Sequence, residues 1–175
     1  MAKTDYWEQI EEAFEEVDIY EGFTEFTESA GKYPKWKIDL LAVHWAMSEI
    51  ANGGLRQFFL NSTGILAPEA VQGFRNVGQD QLADLLEKAM EILSKGEEYR
   101  RDRKVRNERL GVEIGDEDEE EEDFSFIPKF VLNMTEQEEE EEDDPFVEFE
   151  DPFFEAQDFL EDVLDEYAGK HCDPN

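Results

Sequence analysis

The chain holds one cysteine, Cys172, and two histidines among its 175 residues. A disulfide framework is thereby excluded, and so is a cysteine-rich metal site. Positive charge is scarce as well: 16 Lys and Arg stand against 48 Asp and Glu, a formal net charge of −32. A surface of that sign repels nucleic acid and anionic lipid, and its electrostatic complement is a basic partner. No apolar stretch approaches the ~18–20 residues that a membrane span needs; the best run, Ile38 to Met47, is interrupted by Asp39 and His44. The opening residues, Met1 to Tyr6, lack the apolar segment of a secretory signal, so a reducing cytoplasm is the expected compartment.

Catalytic signatures are missing too. There is no GxxxxGK[ST] loop, no GxGxxG, no HExxH and no CxxC. Carboxylates abound, but acid–base work needs a perturbed group in a pocket, which an exposed carboxylate is not. Asp116-Glu117-Asp118-Glu119-Glu120 has the look of a calcium loop, yet Glu121 stands where an EF-hand needs glycine. The reading is a protein that is not an enzyme, with no cofactor and no metal.

What is present is enough to fold. The hydrophobic share is 39%, and 14 Phe, 5 Tyr and 3 Trp are too many for a wholly disordered acidic chain. A chain of this length makes one domain that hides roughly 70% of its unfolded-chain surface. Its charge is unevenly placed. Residues 1–115 carry 22 acids against 14 bases, whereas residues 116–175 carry 26 acids and only two bases, Lys129 and Lys170. Asp116 to Asp123 is an unbroken acidic run and Glu138 to Asp144 is a second, so 116–123 and 136–145 read as acidic low-complexity loops within the domain. Duplex DNA carries one charge per ~1.7 Å of axis, so the 24 excess charges of residues 116–175 match about 40 Å of duplex.

The periodicity is helical throughout, and the expected fold is all-α: a single compact multi-helix domain, 1–175, with acidic loops. Trp7, Ile10, Phe14 and Val17 form one helical stripe. The opposite face carries Glu8, Glu11, Glu12, Glu15 and Glu16 without a base. Asp18 to Gly31 reads as a connector. Pro34 opens a helix from Lys35 to Ala51, apolar on most of its circumference and therefore central. Its His44 reads as a packed or hydrogen-bonded histidine. Asn52-Gly53-Gly54 stops that helix, and a short one, Leu55 to Leu60, ends at Asn61-Ser62-Thr63-Gly64. Pro68 suits the first turn of the next helix, Gly78 closes it, and Asp80 is placed to cap the one after.

Beyond Gly96, the cluster Arg100, Arg101, Arg103, Lys104, Arg106 and Arg109 reads as internal neutralisation. Phe124, Phe126, Ile127, Phe130 and Val131 form an apolar island between the acidic runs, suited to docking on the core. Asp151-Pro152 caps a last helix in which Ala156, Leu160, Val163, Leu164 and Tyr167 face inward.

The stretch Glu49-Ile50-Ala51-Asn52-Gly53-Gly54-Leu55-Arg56-Gln57-Phe58-Phe59-Leu60-Asn61-Ser62-Thr63-Gly64 resembles the signature of a bacterial family long catalogued as a domain of unknown function. Its named representative is a DNA-mimic protein. Val77-Gly78 and Asp151-Pro152-Phe153-Phe154 leading to Tyr167-Ala168-Gly169-Lys170-His171 fit the same pattern, so the similarity covers roughly 35–110 and 146–171. The resemblance implies a compact helical fold, no known catalysis, and binding to a DNA-binding protein in place of DNA. Within the motif, which Gly64 ends, Glu49, Asn52, Gln57 and Asn61 are suited to satisfying backbone groups around tight turns that Gly53 and Gly54 permit.

Two functions compete. In the first, the protein imitates DNA and occupies the groove of a basic DNA-binding protein: a repressor, a nucleoid protein or a nuclease. It binds no nucleic acid and no membrane itself, and is a monomer or a dimer. The acids that would do this are Glu8, Glu11, Glu12, Glu15 and Glu16, then Asp116, Glu117, Asp118, Glu119 and Glu120, then Glu138, Glu139 and Glu140. Asp158, Glu161, Asp162 and Asp165 complete the set, with Glu155 and Glu166 beside them. In the second, the chain is an immunity-type interaction module held by apolar anchors, for which Phe146, Phe149 and Phe153 are the candidates if exposed.

Overall fold

A computed structural model of the chain describes residues 4–112 and 144–172. The acids of both runs up to Asp143, and the apolar island Phe124–Val131, lie outside the described residues. Those residues contain helices and no strand: α1 (Tyr6–Glu16), α2 (Phe23–Ala30), α3 (Lys35–Leu60), α4 (Ala67–Asn76), α5 (Asp80–Ser94), α6 (Arg103–Arg109), α7 (Asp151–Ala156) and α8 (Leu160–Cys172). Short 3₁₀ turns at Ser62–Leu66 and Val147–Phe149 join the chain between them. The fold is all-α. No helix among the described residues is long and apolar enough to cross a membrane.

α3 is the axis of the molecule because it is apolar nearly all round. Ile38, Leu40, Leu41, Ala42, Val43, Ala46, Met47 and Ile50 are all buried, and α1, α4, α6, α7 and α8 pack around it. α1 lays Ile10, Ala13 and Val17 on this axis and on α8, which leaves its glutamates outward. Four aromatic side chains enclose His44: Tyr6, Trp7, Phe14 and Trp45. The Tyr6 hydroxyl and His44 Nδ1 are hydrogen-bonded at 3.1 Å. The histidine is packed and hydrogen-bonded, as its place on a buried helix suggests.

Burial holds the His44 imidazole below its ordinary pKa. In the unfolded chain it takes up a proton near pH ~6.5. Below that pH the unfolded form binds more protons, so this group's contribution to stability falls as the pH falls. The wild type is therefore expected to lose stability relative to His44→Gln between pH 8 and pH 5.5, read as the difference between paired thermal melts. Parallel pH profiles would contradict it.

Asp18 to Gly31 is not only a connector: it contains α2, which buries Phe26 and Ser29. The spacing of Phe23, Phe26 and Ala30 carried that signal, but flanking acids obscured it. Asp80 does not cap α5; it is the first helical residue and follows Gln79. Asp151 likewise opens α7 after Glu150. The last helix is two, α7 and α8, separated at Gln157–Phe159. Phe146, Phe149 and Phe153 are 1%, 4% and 0% exposed, so all three belong to the core and none can anchor a partner.

Candidate functional site

Glu8, Glu11, Glu12, Glu15 and Glu16 all lie exposed on α1. Among the described residues none of them has an ion-pair partner; the Tyr33 hydroxyl donates to Glu16 Oε2 at 2.7 Å. Eight residues of α-helix rise ~12 Å. Duplex DNA of that length carries about seven charges, and α1 carries five, held at fixed positions.

The C-terminal acids divide differently. Glu155, Asp158, Glu161 and Asp162 are exposed, and Glu166 is paired with Lys170 at 2.8 Å. Asp165 is buried. Its Oδ1 accepts the backbone N–H of Tyr6 at 2.8 Å, filling one of the orphan donors at the start of α1. Asp165 therefore does not belong to a partner-facing surface; it ties α8 to α1. Burial raises the Tyr6 phenol pKa, and the nearby carboxylates of Glu161, Asp165 and Asp5 reinforce the rise.

The motif residues assemble a different structure, a joint. At Gly53 and Gly54 the helix breaks, and Gly54 takes φ +75°, a conformation that L side chains seldom adopt. The helix restarts at Leu55, whose N–H lacks a helical acceptor. Glu150 Oε1 accepts it at 2.7 Å. Glu49 does not serve the backbone here: its Oε2 accepts from Gln57 Nε2 and from Asn61 Nδ2, both at 2.9 Å, and so staples one side of the break to the other. Asn52 is exposed.

At the far end of α3 the carbonyls of Phe59 and Asn61 accept from Arg106 Nε at 2.8 Å and Nη2 at 2.7 Å, and the Arg101 carbonyl accepts from Nη1. Arg103 Nε meets the Leu60 carbonyl at 3.1 Å. A Cβ on Gly64 would stand 2.8 Å from Arg106 Nε and 2.9 Å from the Phe58 carbonyl, which is why glycine is needed there.

The basic cluster is thus chiefly structural. Arg101 makes a two-pronged pair with Glu69, holds the Ile65 carbonyl and lies over the Phe23 ring, Arg109 pairs with Glu97, and Arg103 and Arg106 donate to the carbonyls at the C-terminal end of α3. The acidic run that these bases are expected to neutralise lies outside the described residues; within them, Arg101 and Arg109 are seen paired with acids, Glu69 and Glu97. Sequence reading missed Glu150, which lies 95 residues from the amide that it caps.

Both flanks of residues 113–143 are fastened to this joint. On one side Arg56 donates to the Leu110 carbonyl at 3.0 Å and Arg106 holds α6 against α3. On the other, Phe146 packs on Phe59 and Glu150 caps Leu55.

Burial raises the Glu150 pKa, so its ionised form is penalised in the fold. That contribution to stability is present below the unfolded carboxyl pKa and is lost as the pH rises through the folded one. Glu150→Gln keeps the acceptor without the charge and is expected to be no less stable than wild type at pH 7. Glu150→Ala leaves the Leu55 N–H without its acceptor and should cost about 1–2 kcal/mol in urea unfolding. Equal losses for the two variants would contradict this role.

The DMP19-like protein family matches the chain over residues 31–171, well over half its length. The chain belongs to the DMP19-like protein family. No curated protein and no solved structure matches it. The DMP19-like span takes in the whole joint, from Glu49 to Gly64 together with Arg106 and Glu150. α1 lies outside it, so the most densely charged described face stands on its own geometry rather than on the family.

Proposed function

We propose that this DMP19-like chain is a non-enzymatic DNA mimic, which occupies the basic groove of a DNA-binding protein and competes with DNA there. The observation that carries this reading is the face of α1: five exposed glutamates, fixed on a rigid helix, with no cation paired to them among the described residues. Arg and Lys that meet phosphates in a DNA complex would meet carboxylates here, with similar charge-assisted hydrogen bonds. Family membership and the net charge of −32 support the same reading. The partner is a repressor, a nucleoid protein or a nuclease, and the compartment is the cytoplasm.

The test is capture from nuclease-treated bacterial lysate at low and high salt, followed by competition between this chain and duplex DNA for each captured protein. Mimicry predicts DNA-binding proteins that salt releases and DNA displaces. A salt-resistant partner indifferent to DNA would favour the interaction-module reading instead. With Phe146, Phe149 and Phe153 lost to the core, the apolar anchors open to that reading are exposed residues such as Phe23, Val147, Phe154 and Phe159.

A further inference from the structure

Beside the start of α3 lies an open cleft of about 380 Å³, lined by Lys35, Trp36, Asp39, Asn76, Tyr167 and His171. We propose that it is a socket for one arginine side chain of the basic partner, whose guanidinium takes the place of Lys35 on the Asp39 carboxylate. This rests on the reading of the partner as a basic protein and says how one of its residues is held.

Asp39 is only 2% exposed, and a buried carboxylate needs donors. Its Oδ2 accepts from Asn76 Nδ2 at 2.7 Å and from the Tyr167 hydroxyl at 3.3 Å, two neutral donors that orient it from different helices. Its Oδ1 accepts from Lys35 Nζ at 2.6 Å.

That lysine is a poor resident. Its side chain is 67% exposed. It sits in the first turn of α3, where the helix dipole disfavours a cation. It also precedes its acid by four residues, the weaker order for a helical ion pair.

The walls suit a guanidinium better than an ammonium. Trp36 and His171 are stacked, with centroids 5.4 Å apart and planes 6° from parallel, and Tyr167 meets His171 edge-on at 4.6 Å. The Trp36 ring also accepts a cation from outside the cleft, since Lys37 Nζ is 5.6 Å from its centroid. A guanidinium is planar, weakly hydrated and stacks on aromatic faces while its edge binds a carboxylate, whereas an ammonium only repeats what Lys35 does. Arginine is also the residue that a DNA-binding groove offers.

The test titrates N-acetyl-L-arginine methylamide into the full chain and follows the Trp36 indole and Asn76 side-chain amide signals by NMR. The corresponding lysine derivative and inorganic phosphate are run beside it. The socket predicts saturable shifts at these residues with arginine bound more tightly than lysine, weaker binding in Trp36→Ala, and none in Asp39→Asn. Lys35→Ala leaves Asp39 its two neutral donors and, once a thermal melt has shown the variant folded, should bind arginine about two- to fivefold more tightly, because the competing cation is gone. Unchanged or weaker arginine binding in Lys35→Ala overturns the socket, as do equal affinities for arginine and lysine, or phosphate shifting these signals in place of arginine. Failure here leaves any dependence of partner binding on the α1 glutamates intact, so the two readings fall separately.

Discussion

Arg106→Ala is expected to lower the stability of the fold by about 3–5 kcal/mol. The side chain is 1% exposed and donates to three carbonyls, those of Phe59, Asn61 and Arg101. Burial pulls the guanidinium pKa below its ordinary value, but an arginine stays charged in a protein, and three carbonyls accept its N–H groups. Truncation leaves these acceptors without their donor in a space that Gly64 keeps closely packed, and each buried unsatisfied group costs about 1–3 kcal/mol. Arg106→Lys should not restore the loss, because a single ammonium cannot span a fork of carbonyls. Equilibrium unfolding in urea measures both variants. A loss under about 1 kcal/mol would show that the joint does not depend on this side chain.

The combined change of Glu8, Glu11, Glu12, Glu15 and Glu16 to Gln should weaken partner binding by roughly ten- to a hundredfold while leaving the fold intact. Individual exposed charge pairs contribute about 0.2–1 kcal/mol, and five of them act on one face. Stability should rise slightly, since the i,i+4 pairs Glu8/Glu12, Glu11/Glu15 and Glu12/Glu16 each cost a few tenths of a kcal/mol. An amide oxygen at position 16 can still accept from the Tyr33 hydroxyl, as the Glu16 carboxylate does. Affinity measured at two salt concentrations, with a melt of each protein, separates the effects. Full affinity in a folded variant would remove α1 from the interface.

The same physics decides what could be read in advance. α1 and α3 were legible because their stripes are local and periodic, and the break at Gly53–Gly54 because glycine marks it. The exposure of the α1 glutamates followed from the stripe opposite them. Asp165 and Glu150 were not legible, for a common reason: each serves a backbone N–H far away in the sequence, 159 and 95 residues distant, and nothing near either acid announces that amide. In a chain this acidic, one structural carboxylate among many has no distinguishing neighbour. The buried phenylalanines show the reverse problem, since burial from several directions needs the whole assembly to be seen. Glu49 bonds side chains rather than the backbone, because Gln57 and Asn61 both return to the same face after the break, and that return is not visible in the local sequence.

Competition with DNA for one groove is open to a single titration. A DNA-binding protein captured by this chain is first bound to a labelled duplex carrying its site, and fluorescence anisotropy is followed as the chain is added. Mimicry predicts that the signal falls to that of free DNA along a simple competition curve, with a midpoint that moves to higher concentration as salt rises. If the signal holds or rises at saturating chain, because both ligands occupy the protein together, the account is wrong.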